Sequence, residues 1–144
     1  MQDLRGKADV VLVDAPCSGL GALRRNPDAR WRMDEAEVDS FPPRQRDILR
    51  RYARLVRPGG RLVYATCSIN RRENEDVRAS FLAEHPEFVP VAPSELLGEE
   101  RAAALGAGAE DVQLLPHRHG TDGFYIAALE LRPMEKMVES GPPR

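Results

Sequence analysis

Hydrophobic positions along the 144 residues fall into blocks of two different periods. Val10, Val11, Leu12 and Val13 form an unbroken aliphatic run between Asp9 and Asp14. A run of that length predicts a strand over residues 9–14 that is buried on both faces. Ala15-Pro16-Cys17-Ser18-Gly19 follows as a turn, and residues 20–43, punctuated by Pro27, Pro42 and Pro43, read as loop. One short helix is expected inside that loop near residues 34–38, capped by Asp34. Ile48, Leu49, Tyr52, Ala53, Leu55 and Val56 then recur at helical spacing and predict a helix over residues 44–57. Pro58-Gly59-Gly60 is expected to end it, and residues 61–66 form a second strand. A second long helix is predicted over 72–85 with Val77, Phe81 and Leu82 turned inward, then a third strand over 87–91. Residues 94–108 have room for a small helix. Residues 112–115 predict a short strand pairing across a wide loop with a longer one over 124–131. Residues 133–144 read as a loose tail.

Strand, helix, strand, helix, strand at this rhythm predicts an α/β fold with parallel pairing and right-handed crossovers. The length suits one domain, here residues 1–132. Composition adds mainly exclusions. Lys and Arg total 21 against 23 Asp and Glu, so the formal net charge is −2. A polycation holding nucleic acid by bulk charge is excluded, as is an acidic disordered tail. No apolar run approaches the roughly 20 residues that cross a bilayer, so no membrane partner is expected. Two cysteines, Cys17 and Cys67, are too few for a disulfide framework and point to a reducing, cytoplasmic setting.

Both cysteines close a predicted strand, in Asp14-Ala15-Pro16-Cys17-Ser18-Gly19 and in Ala65-Thr66-Cys67-Ser68. Ligands of open α/β sheets bind beyond the carboxyl ends of the strands, so neighbouring strands would bring Asp14, Cys17 and Cys67 to one cleft. A thiol is the strongest side-chain nucleophile near neutral pH. One cysteine at a strand end is most simply a small buried hydrophobe. Two, each in a turn and each followed by Ser, favour chemistry.

With these blocks the chain resembles the C-terminal part of the RNA cytosine-5 methyltransferases of the Sun, Nol1 and Nop2 family. The resemblance extends through Arg25-Asn26-Pro27-Asp28, Arg30-Trp31, Arg57-Pro58-Gly59-Gly60, Glu73-Asn74-Glu75 and His119-Gly120-Thr121-Asp122-Gly123-Phe124, in family order. It implies the C-terminal half of a Rossmann-like class I methyltransferase sheet, mostly parallel with an antiparallel last strand. It also implies S-adenosylmethionine as methyl donor and RNA, expected to be ribosomal RNA, as substrate. Cys67 takes the family's nucleophile position, Cys17 that of the cysteine releasing product, and Asp14 lies beside cofactor and base with Pro16 at the cofactor. Arg25, Arg30 and Trp31, in a loop expected to border the cleft, and Asp122, in a block that in the family lies near the active site, are the expected RNA contacts.

The same resemblance implies that the first three strands and the glycine-rich cofactor turn are missing before residue 9. The chain is then expected to be a partial catalytic domain that alone binds S-adenosylmethionine weakly or not at all. Its strand 9–14 becomes a sheet edge, expected to be covered by a second copy or by the missing N-terminal half.

Several residues keep two readings. Arg24, Arg25, Arg30 and Arg32 around Trp31 suit phosphate contact and base stacking, or else form a solvated loop whose Trp anchors it to the core. Arg44, Arg46, Arg50, Arg51, Arg54 and Arg57 read as a wet helix face, with Asp47 pairing Arg51. His117 and His119 alternate as strand residues do, but with two widely separated cysteines they fit no zinc pattern, and no metal is expected. A non-catalytic RNA-binding or assembly module remains the alternative to an enzyme. A thiol redox protein is a weaker third, because the cysteines are not a close pair.

Overall fold

The computed structural model describes residues 2–133, so the expected tail lies almost wholly outside the described residues. Strand β1 (Ala8–Asp14) leads through helix α1 (Ala29–Arg32) and the long helix α2 (Glu35–Ala53) into β2 (Val56–Thr66). Helix α3 (Glu75–Glu84), strand β3 (Phe88–Val91) and the small helices α4 (Pro93–Leu97) and α5 (Glu99–Ala104) follow. Strand β4 (Val112–Leu114), helix α6 (Pro116–His119) and β5 (Phe124–Leu131) complete the order. The five strands make one sheet in the order β1-β2-β5-β3, with β4 on the same side of β5 as β3. Strands β1 and β2 pair in parallel, whereas β2, β3 and β4 each pair antiparallel to β5. Four strands therefore run one way and the last runs against them, as expected. The third predicted strand keeps that direction but touches β5 rather than a parallel neighbour.

Four elements differ from the sequence expectation. The loop and short helix expected over 20–43 give way to α2, which runs through Pro42 and Pro43. Asp34 caps it, accepting a 2.7 Å bond from the Glu37 N–H, and Glu35 and Glu37 suit its positive end. The two prolines forfeit two intrahelical bonds. The helix continues because Pro42, Gln45, Leu49 and Ala53 bury one face against the sheet. It also stops before Pro58-Gly59-Gly60, which forms a bulge inside β2 instead. The register passes from Ala8↔Val56 to Val10↔Arg61, so β2 spends extra residues there, with Gly59 at φ 74°. The second long helix is shorter than predicted, because Asn74 breaks it from a preceding 3-10 turn over Arg71–Glu73. Asp47 pairs Arg50 at 2.8 Å, not Arg51, while Arg50 also reaches Glu84 at 2.6 Å.

Strand β1 departs most. Val11 and Val13 are buried in the core with Leu49, Leu62, Tyr64, Phe81, Tyr125 and Leu129. Val10 and Leu12, on the other face, are 59% and 65% exposed. The expectation of burial on both faces fails because no described element packs over that side of β1.

Candidate active site at the strand ends

The carboxyl ends of β1 and β2 are adjacent, with Asp14 opposite Ala65, and the Ala15 N–H extends the ladder to the Ala65 carbonyl at 2.9 Å. Each chain then turns, and the turns are tied together. The Gly21 N–H donates to the Cys67 carbonyl at 2.9 Å, and the Gly123 N–H donates to the Gly21 carbonyl at 2.8 Å. A Cβ on Gly21 would overlap the Gly123 carbonyl and lie 2.8 Å from the Cys67 oxygen. Only glycine permits this approach. Three loops, following β1, following β2 and preceding β5, thus meet at one end of the sheet.

Their meeting brings the two sulfurs together. Cys17 Sγ and Cys67 Sγ are 3.1 Å apart, and both residues are half-buried. Burial pushes the Cys17 thiol up to about 12, and its hydrogen bond with Cys67 adds to the shift. Near neutral pH Cys17 is therefore a neutral thiol able to donate to the Cys67 sulfur. A negative charge placed on Cys67 would have a ready partner.

Beneath the sulfurs lies a buried polar layer that the sequence expectations did not include. Glu73 is fully buried and accepts four hydrogen bonds. Its Oε1 takes the Ser18 N–H at 2.7 Å and Gln45 Nε2 at 3.3 Å. Its Oε2 takes the Ser18 hydroxyl at 2.6 Å and the Ser68 hydroxyl at 2.8 Å. Gln45 Nε2 also donates to the Pro16 carbonyl at 2.9 Å. Asn74 Nδ2 donates to the Ser68 carbonyl at 2.9 Å, and the Thr66 hydroxyl donates to Asn74 Oδ1 at 2.6 Å. The Tyr64 hydroxyl donates to the Glu73 carbonyl at 2.6 Å, and its pKa is raised by burial first and by the Glu73 carboxylate next. The signal for this layer was present as the Ser after each cysteine and as Glu73-Asn74 just beyond. Its pairing across 55 positions could not be inferred from spacing.

The other candidates divide. Asp14 and Pro16 are exposed at the outer side of β1, and no described hydrogen bond links Asp14 to either thiol. Asp14 and Pro16 line a cavity of about 360 Å³ with Leu12, Val13, Ile48, Arg51 and Tyr52. Arg25 forms an ion pair with Asp122, whose side chain is largely buried, so these two meet at the loop before β5. Trp31 is 82% exposed and lies under the Arg30 guanidinium at 5.4 Å. The alternative in which Trp31 anchors its loop to the core is therefore overturned. His119 bonds the Leu115 N–H at 2.9 Å and approaches the Leu105 carbonyl at 3.0 Å, a structural role on helix α6 rather than on a strand. Among the described residues no group of three or more His, Cys, Asp or Glu could hold a metal, and no helix is long and apolar enough to cross a membrane.

Comparison with known proteins meets this geometry from another side. A protein of Mycobacterium tuberculosis named as a methyltransferase is 49% identical over 127 residues, 88% of this chain and 27% of the relative. The ribosomal RNA small subunit methyltransferase F of Erwinia tasmaniensis is 36% identical over 137 residues, 94% of this chain and 27% of the relative. Among solved structures, NSun6 from Pyrococcus horikoshii with SFG superposes with a TM-score of 0.60 at 25% identity, covering 83% of this chain and 29% of that one. A protein designated PH0851 superposes with a TM-score of 0.75 at 42% identity, covering 88% of this chain and 27% of that one. The chain thus spans about a quarter of the length of these relatives. Residues 1–130 match the profile of one family, and on that match the chain belongs to the 16S rRNA methyltransferase RsmB/F family.

Proposed function

We propose that this chain is the cysteine-bearing part of an S-adenosylmethionine-dependent enzyme that methylates carbon 5 of cytosine in ribosomal RNA, in the cytoplasm. The observation that carries the reading is the 3.1 Å approach of two thiols at adjacent strand ends. Carbon 5 of cytosine is too weakly nucleophilic to accept a methyl group directly, so the chemistry needs a prior covalent addition. Cys67 Sγ adds to carbon 6, which makes carbon 5 electron-rich. S-adenosylmethionine, when bound, supplies the methyl group as an electrophile. Loss of the carbon-5 proton to solvent returns its electron pair to the ring. The Cys67 Sγ–carbon 6 bond breaks with its electron pair leaving on Cys67 Sγ, which then takes up a proton. Cys17, a neutral thiol within reach of that bond, serves this release. Asp14 stabilises the ring nitrogen of the base during addition.

The described residues form only one side of a cofactor cradle. Asp14 and Pro16 are exposed at the end of β1, but no glycine-rich turn follows β1 into a helix, and β2 and β3 end without an acid. The chain alone is expected to hold S-adenosylmethionine weakly. The cationic and aromatic surface of Arg30 and Trp31 suits a stacked base, and the Arg25–Asp122 pair lies in the loop that meets the cysteine turns through Gly123 and Gly21. That exposed surface, beside a one-sided cradle, also suits the second reading, an RNA-binding module without chemistry.

The test is a chimera in which this chain replaces the matched 127 residues of the Mycobacterium tuberculosis relative. Incubated with 16S rRNA and S-adenosylmethionine, it should produce a bisulfite-resistant cytosine. RNA binding without any new resistant cytosine would favour the second reading.

A further inference from the structure

We infer that Glu73 is a positioning residue that holds both thiols in register, by binding the residue after each cysteine with one carboxylate. Both hydroxyls, one N–H and one side-chain amide end on it, and three of these four donors belong to Ser18 and Ser68. Those serines lie one peptide beyond Cys17 and Cys67, so the carboxylate sets where each thiol-bearing turn sits. Gln45 completes the bracket from the other side by holding the Pro16 carbonyl while touching Glu73. Among the described residues no Lys or Arg donates to Glu73, so the layer works by geometry and not by an ion pair. A carboxylate suits the task because its two oxygens accept four bonds from different elements, which no hydroxyl or backbone group can do.

Glutamine can replace it. Its carbonyl would accept from the Ser18 N–H and Gln45, and its amide would donate to the two hydroxyls, which rotate to accept. Alanine cannot. The two turns would then lose their common anchor, leaving buried donors without partners. The positioning itself is independent of any methyl transfer; its value for catalysis rests on the reading above.

The test uses the chain without RNA or cofactor, so that its failure is separate from failure of the methyltransferase reading. The protein is equilibrated with reduced and oxidised glutathione, quenched in acid, alkylated and weighed by mass spectrometry. Cys17 and Cys67 lose two protons and two electrons as their disulfide forms, while one oxidised glutathione becomes two reduced molecules. The equilibrium between the internal disulfide and the dithiol reports how closely the sulfurs are held. Wild type should form the internal disulfide, and Glu73→Gln should stay within about twofold of it. Glu73→Ala should disfavour it on the order of tenfold or more. Val77→Ala, a cavity in α3 that leaves every donor to Glu73 in place, controls for general loosening and should leave the equilibrium unchanged. If Glu73→Ala does not fold, Ser18→Ala with Ser68→Ala removes both hydroxyl ties to Glu73, leaving the Ser18 N–H, and should show a loss in the same direction. A Glu73→Ala or double-serine equilibrium equal to wild type, with native circular dichroism, overturns the inference. So does a Val77→Ala shift as large as that of Glu73→Ala.

Discussion

Cys17 and Cys67 are a pair of thiols 3.1 Å apart, and Cys17 holds its proton well above the ordinary thiol range. Burial raises Cys17 to about 12, first through desolvation and then through the contact with Cys67. Cys17 should therefore resist iodoacetamide at pH 8, and its labelling, followed by peptide mass, should climb only as the pH approaches 12. Half-maximal labelling near pH 9 would contradict the shift. The same group affects stability with a defined sign. A folded-state pKa above the unfolded one contributes stability below the unfolded value, and that contribution is lost as pH rises toward 12. The meeting of Cys17 and Cys67 was legible because each closes a predicted strand and the two strands are neighbours. Glu73 and Gln45 were not singled out. Their role depends on three segments folding onto one point, which no local pattern around Gln45 or Glu73 discloses.

At the scale of elements, patterning placed β1, β2, β3, β4 and β5 within a few residues of where they lie. It failed at Pro42 and Pro43, where local propensity argued for a loop and burial won. Pro42, Gln45, Leu49 and Ala53 bury the inner face of α2 strongly enough to outweigh the lost bonds. Pro43 is exposed, so its ring adds nothing to that packing. Pro43→Ala should restore one intrahelical hydrogen bond, offset in part by greater freedom of the unfolded chain. The net expectation is a stabilisation of about 1–2 kcal/mol, seen as a higher midpoint in urea. A lower midpoint would mean that the proline sets a bend that α2 needs. Pro58-Gly59-Gly60 misled in the opposite way. It reads as a helix stop, yet Gly60 is buried against the Ala8 and Asp9 carbonyls, so its small size serves the β1–β2 bulge.

For the whole molecule, the parallel pair β1–β2 brings the two cysteine turns together, and the antiparallel β5 delivers the loop that closes over them. The opposite face of β1 is left open, with Val10 and Leu12 exposed on a strand whose other side has no described partner. Unprotected edges and apolar patches recruit partners. The chain alone should therefore self-associate at high concentration in light scattering, and Leu12→Lys should return it to monomer. A monodisperse wild-type monomer at millimolar concentration would contradict this. The central claim, that Cys67 attacks the base and Cys17 releases it, is tested most directly by covalent trapping. The chimera with the Mycobacterium tuberculosis relative is incubated with S-adenosylmethionine and RNA carrying 5-fluorocytosine, then resolved on a denaturing gel. The wild-type sequence should give a protein–RNA band that Cys67→Ala abolishes. With unmodified RNA, only Cys17→Ala should leave such a band. Loss of the adduct on Cys17→Ala with its persistence on Cys67→Ala would contradict the assignment.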